Sequence, residues 1–181
     1  MECAERVLLY LAHSAELSMT IDGNLEDAGV LEAESDSDWA VGHSTTGFLL
    51  FLCGCAVVYS SKRQPCIALS STEAEIIAAS AASVEIVYVR TLLRELGLEQ
   101  QRPTTLRVDN SGAVELSRDR KSCHRSRHVD RRFFKVRELS AAGVIKVEHV
   151  PTELNRADYL TKPLDEDTFI RHRTASMNTR P

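Results

Sequence analysis

The chain has 181 residues, 43% of them hydrophobic and 27% charged, which is enough for one domain with a real core and an ordinary globular balance. No apolar run approaches the ~20 residues of a membrane span. The run Val7–Ala12 follows Glu2 and Glu5 rather than the basic start of a secretory signal, so an intracellular protein, cytoplasmic or nuclear, neither secreted nor membrane-bound, is expected. The five cysteines (Cys3, Cys53, Cys55, Cys66, Cys123) are odd in number and form no CxxC pair, which argues against a disulfide framework or a zinc site. The net charge of −4 conceals a strong asymmetry. Residues 1–61 carry ten acidic side chains and one basic, whereas residues 118–137 carry nine basic and two acidic. A local basic stripe is what phosphate binding needs, whatever the total charge.

Residues 1–20 read as a helix, with Val7, Leu8, Leu11 and Ala12 at helical spacing, and residues 21–31 as a linker. Residues 33–41 form the first expected strand. Asp36 and Asp38, two apart, share one face of it, opposite Ser37 and Trp39. Residues 46–53 and 55–61 are apolar and β-rich, and Gly54 between them suggests a tight hairpin. Their continuous hydrophobicity predicts burial on both faces. Lys62 and Arg63 then suit either a phosphate contact or a solvated loop.

A helix is expected from about 72 to 96, stopped by Gly97, with Ile77, Val84, Tyr88, Leu92 and Leu96 as its core stripe. At its start, Ser70-x-x-Glu73 and Thr72-x-x-Glu75 both fit a capping box, so caps alone would account for both glutamates. Residues 105–109 read as a parallel strand, followed by a short helix over 111–117. Asp109 fits both a cap and a ligand at the carboxyl end of a strand. Residues 126–141 form an amphipathic helix. Val129, Phe133, Val136 and Leu139 make one face, and Arg127, Arg131 and Lys135 make another, with Arg125 just upstream. One sign dominates that second face, which favours nucleic-acid backbone contact over plain solvation. A strand over 144–150 ends at Pro151, a last helix starts near Asn155 with Asp158 in its first turn, and the polar residues 165–181 read as a helical continuation that frays into a disordered tail.

Six stretches, in order, resemble the ribonuclease H domain of copia-type LTR retrotransposon Pol polyproteins. They are Ser35–Ala40, Ser44–Phe48, Ala68–Glu75, Val108–Asn110, His128–Asp130, and Val150–Thr152 with Ala157–Leu164. The resemblance implies an α/β ribonuclease H-like fold, a mixed five-stranded sheet in the order βββ-α-β-α-α-β-α with helices on its faces. It implies residues 1–31 as a remnant of the connection that follows a reverse transcriptase, 32–164 as the ribonuclease H-like domain, and 165–181 as the tail. It assigns Asp36, Glu75, Asp109 and Asp158 as the catalytic set holding two Mg²⁺ (or Mn²⁺). The implied reaction is endonucleolytic hydrolysis of RNA in an RNA–DNA hybrid, with a reverse transcriptase domain supplied elsewhere. Ser70, Ser71, Thr72 and Asn110 are placed for the RNA 2′-hydroxyl edge, and Arg125, Arg127, Arg131 and Lys135 for backbone phosphates. Two departures stand out: a short turn between Trp39 and Ser44, and no room between His149 and Asp158 for the histidine-bearing loop of cellular ribonucleases H. A catalytically inactive hybrid-binding remnant is the alternative reading.

Overall fold

The computed structural model describes residues 2–24, 29–40, 42–118 and 127–179. Five strands, β1 (Glu32–Asp38), β2 (Thr45–Leu52), β3 (Cys55–Arg63), β4 (Thr104–Val108) and β5 (Ile145–His149), form one mixed sheet in the order β3-β2-β1-β4-β5. The first three run antiparallel, and β4 and β5 continue parallel to β1. The β2–β3 turn is Cys53-Gly54, both with positive φ (53° and 76°). That is the geometry matching the twist of a two-residue hairpin. β2 is buried on both faces, as its composition predicts. β3 is buried only at its start: it is the edge strand of the sheet, and Val57 and Tyr59 are exposed.

The helices divide between the two faces. The long α2 (Ser71–Glu95) crosses β1, β2 and β4, with α3 (Ser111–Arg118) and α4 (Arg127–Ala141) beside it. By length and composition α2 is apolar enough to cross a membrane. Its Ile76, Ala79, Ala82, Ile86, Val89 and Leu93 are instead buried against the sheet, with Ala33, Phe48, Leu50, Leu106 and Val108. The stripe expected from the sequence is thus displaced. Ile77 is buried, but Val84, Tyr88, Leu92 and Leu96 are exposed. α2 carries two apolar stripes, and the one richer in alanine lies on the sheet, where small side chains permit close approach.

The opposite face is covered by a strap, residues 151–164, containing two 3₁₀ turns (Thr152–Leu154 and Arg156–Leu160), and by α5 (Glu166–Met177). Here the sequence reading is corrected twice. Asp158 sits in a 3₁₀ turn rather than in the first turn of a long helix. Residues 166–177 form a separate, capped helix rather than the fraying continuation of one that starts at Asn155. Asp165 accepts from Thr168 N at its start, Asn178 ends it in the left-handed region, and His172 and Ser176 are buried. α5 buries few apolar residues, which is why periodicity showed neither its start nor its end. α1 (Glu2–His13) leaves Val7, Leu8 and Leu11 exposed and meets α5 through an edge-on contact of Tyr10 with Phe169.

Candidate active site

Because β1 and β4 are parallel neighbours with Ser35 opposite Val108, the next residue of each, Asp36 and Asp109, falls where the pairing of these two strands ends. The carboxyl ends of parallel strands are where α/β folds place ligand sites. Asn110 takes up the capping of α3, its side-chain oxygen accepting from Ala113 N at 3.0 Å. Asp109 is therefore released from the cap that the sequence left open.

The third aspartate arrives on the strap, which is fastened to β1. Asn155 is wholly buried. Its amide donates to Ser35 O (3.0 Å), and its carbonyl accepts from Ala157 N (3.2 Å). Arg156 lies over the Phe51 ring (3.6 Å to the centroid) and pairs with the buried Glu34 carboxylate (Nη2 to Oε1, 2.7 Å), and its backbone N–H donates to the same group (2.8 Å). The Thr161 hydroxyl then donates to the Asp36 carboxylate. Gly47 stands opposite Asp36 in the β1–β2 register. A Cβ there would lie 2.7 Å from Thr161 Cγ2 and 3.1 Å from Ala157 O, so only glycine lets the strap come down onto β2. Carboxylate oxygens of Asp36, Asp109 and Asp158 consequently lie within 4.8 Å of one another.

Glu75 approaches from α2. Of the two capping alternatives, the structure uses the first: Ser70 Oγ accepts from Glu73 N (3.1 Å), and Glu73 accepts from Leu69 N (3.0 Å). Glu75 is left free of capping and is buried. Its Oε1 accepts from Ser37 N (3.0 Å), and its Oε2 has no hydrogen-bond partner among the described residues. It lies outside the 4.8 Å trio but close enough for Asp36 and Asp109 to act on its charge. Burial pushes the Glu75 carboxyl up to about 10, and those two aspartates add to the rise. Burial likewise pushes Asp36 up to about 6, opposed by the Thr161 hydrogen bond and aided by Asp109 and Asp158. Lys162 Nζ lies 2.6 Å from Asp158 Oδ1.

Close carboxylates of one sign, buried but for the half-buried Asp109 and with an unpaired oxygen on Glu75, are an all-oxygen donor set of the kind hard divalent cations take. The residues present therefore fit such ions. Asp38 is not part of the set: its carboxylate accepts from Thr45 N and closes the β1–β2 turn.

The other candidate residues fall in two places. Ser70 spends its hydroxyl on the α2 cap, and Ser71 is exposed beside it. Thr72 and the Asn110 carbonyl oxygen both flank Gly112, so the starts of α2 and α3 meet. Arg131 and Lys135 are exposed on α4. Arg125 and the Arg127 side chain lie outside the described residues. Sequence reasoning missed the roles of Gly47, Asn155, Arg156, Thr161 and Lys162. Gly47 lies in the motif Thr-Thr-Gly and Thr161 and Lys162 in Ala-Asp-Tyr-Leu-Thr-Lys, whose likeness to the family does not say what each residue touches, and Asn155 and Arg156 stand just ahead of the second motif.

The fold is that of ribonuclease H. The structure matches a ribonuclease H1 isolated from compost by a metagenomic approach (TM-score 0.57, 16% identity, covering 74% of this chain and 93% of that one). It also matches the ribonuclease H1 of the halophilic archaeon Halobacterium salinarum (TM-score 0.52, 20% identity, 72% and 93%). The compost enzyme is also known in complex with an RNA/DNA hybrid (TM-score 0.55, 17% identity, 72% and 93%). No family model matches the sequence. In sequence the chain is 36% identical over 141 residues to the retrovirus-related Pol polyprotein from transposon TNT 1-94 of Nicotiana tabacum, over 78% of this chain and 10% of that protein. It is 33% identical over 174 residues to that from transposon RE1 of Arabidopsis thaliana, over 93% of this chain and 12% of that protein. The chain belongs with the Pol polyproteins of copia-type retrotransposons, in their ribonuclease H region, and spans about a tenth of the length of these relatives.

Proposed function

We propose that this domain hydrolyses the RNA strand of RNA–DNA hybrids endonucleolytically, leaving a 3′-hydroxyl and a 5′-phosphate. The observation that carries the reading is the convergence of Asp36, Asp109 and Asp158 within 4.8 Å at the carboxyl edge of the sheet, with Glu75 buried beside them. These four carboxylates would hold a pair of Mg²⁺ or Mn²⁺ ions. When bound, such ions supply Lewis-acid activation of a water and of the leaving oxygen.

The chain's own groups do the rest. Thr161 fixes the Asp36 carboxylate, the strap fixes Asp158, and the Asn110 cap leaves Asp109 turned to the site. Ser71, Thr72 and Asn110, at the joined starts of α2 and α3, would read the RNA 2′-hydroxyl, with Ser70 holding that helix start in place. Arg131 and Lys135, with Arg125 and Arg127 preceding them in sequence, would take backbone phosphates. The hybrid bound by the compost ribonuclease H1 supports the substrate class through the shared fold.

The test is cleavage of a labelled RNA strand in a hybrid, with Mg²⁺ and with EDTA, beside Asp109→Asn. Cleavage is expected with Mg²⁺ alone and is lost in the variant. A folded wild type that binds the hybrid without cutting it would move the function to binding.

A further inference from the structure

Lys162 follows Asp158 by four residues, on a strap whose backbone is held on both sides. Thr161 is buried and bonded to Asp36, and Pro163 follows. The ammonium reaches Asp158 Oδ1 at 2.6 Å. This is unlike the surface pair Lys146–Glu148, which has the same separation but in which both partners stand in solvent. Asp158 is almost wholly covered, whereas Lys162 keeps 42% of its side chain exposed. One end of the pair is thus buried in the acidic cluster, and the other has a free path outward. The charge also extends past its partner, opposing the repulsion felt at Asp36 and at Glu75.

We propose that Lys162 is a positioning residue of this site, a tethered cation that holds Asp158 and offsets the carboxylate cluster until a divalent ion takes its place. A buried group of like charges needs a counter-charge to keep its geometry. A lysine supplies one on a flexible four-carbon stem that withdraws without moving the backbone. Because the ammonium and the incoming ion share Asp158, they compete. Lys162 preserves the site's shape and weakens its ion affinity. The proposal rests on the reading of the aspartates as divalent-ion ligands.

The measurement is Mn²⁺ binding to the full chain by electron paramagnetic resonance, together with thermal melts in EDTA and in saturating Mn²⁺. The proteins compared are wild type, Lys162→Met and Lys162→Arg. Methionine is expected to tighten Mn²⁺ binding about three- to tenfold, by removing competitor and counter-charge together. It should also lower the melting temperature in EDTA, with the loss recovered by Mn²⁺. Arginine, which keeps the charge, should stay within about twofold of wild type. If the methionine variant does not fold in EDTA, Lys162→Gln replaces it in the titration with the same expectation. A charge-removing variant that binds Mn²⁺ no more tightly than wild type would overturn the role of Lys162 alone. So would an arginine variant that tightens as methionine does. Wild type that binds no Mn²⁺ would overturn the ion site itself, and this proposal with it.

Discussion

Glu34 and Asp36 stand two residues apart on one face of β1, both buried, in opposite electrostatic surroundings. Glu34 faces Arg156, which meets it through backbone and guanidinium alike, and Arg107 Nη1 lies 3.8 Å away. Asp36 faces Asp109 and Asp158, with one hydroxyl donor to hold it. The first carboxylate fastens the strap, and the second is exposed to the repulsion that the strap creates by delivering Asp158. A buried charge that is paired serves the fold. A buried charge crowded by its own sign is kept at a cost that only a ligand removes.

The largest effect should come from neutralising the crowded partner. Asp36→Asn is expected to cut hybrid cleavage about a thousandfold, since it removes a ligand without emptying the space. The same variant should be more stable than wild type in EDTA at pH 7.5, by about 1–2 kcal/mol, because the elevated Asp36 carboxyl then no longer ionises against the fold. Urea unfolding in EDTA measures the second half. A destabilised Asn variant would show that Asp36 is paired as Glu34 is.

Removing the paired carboxylate should do the reverse. Glu34→Ala leaves Arg156 without its partner over Phe51 and should cost about 3 kcal/mol in stability. Activity should fall only as far as the strap loosens. Gly47→Ala acts on the same strap by overpacking and should cost about 2 kcal/mol, since Thr161 and Ala157 must retreat from the new methyl. Loss of Mn²⁺ affinity in that variant, at temperatures where it remains folded, would tie the glycine to the site as well as to stability.

The contrast also has a pH signature. The Asp36 and Glu75 carboxyls are raised in the folded chain, to about 6 and about 10, so folding holds their protons more tightly than the unfolded chain does. Stability without divalent ions is therefore full below about pH 4, where both states are protonated. It declines from there as Asp36 titrates through about 6, and further as Glu75 follows. Melting temperatures in EDTA should fall between about pH 5 and 8 by a few degrees. Mg²⁺ should restore more at about pH 8 than at about pH 5. A flat profile in EDTA would mean that the cluster carries no net repulsion.

Much of this was legible in the sequence, but unevenly. The element order follows from periodicity and turn residues, and the four carboxylates follow from motif resemblance. Neither signal reaches contacts that join distant parts of the chain. Glu34 drew no reading from the sequence, because its partner Arg156 lies on the far strap. Gly47 was one residue of an expected strand, because the atoms it makes room for belong to Leu160 and Thr161, far along the chain. The strap's 3₁₀ turns are too short to show a period, and α5 buries a histidine and a serine where a pattern search looks for leucines. The core stripe of α2 was misplaced for a related reason. Periodicity finds apolar stripes but does not say which one the sheet takes.

The smallest effect tests the charges farthest from this buried balance. Arg131 and Lys135 stand in solvent on α4, unlike Arg156, which is mostly covered and has its carboxylate in hand. Alanine at both should change stability by less than about 0.5 kcal/mol, because exposed side chains away from caps and pairs contribute little to folding. Their effect should appear instead in hybrid affinity. Measured by fluorescence anisotropy in an Asp109→Asn background, so that the substrate survives, binding should weaken several-fold at low salt. The slope of log affinity against log salt should flatten by up to about two, one for each phosphate no longer neutralised. An unchanged slope would remove this helix face from the interface, because a charge that releases no counterions on binding does not touch the phosphate backbone.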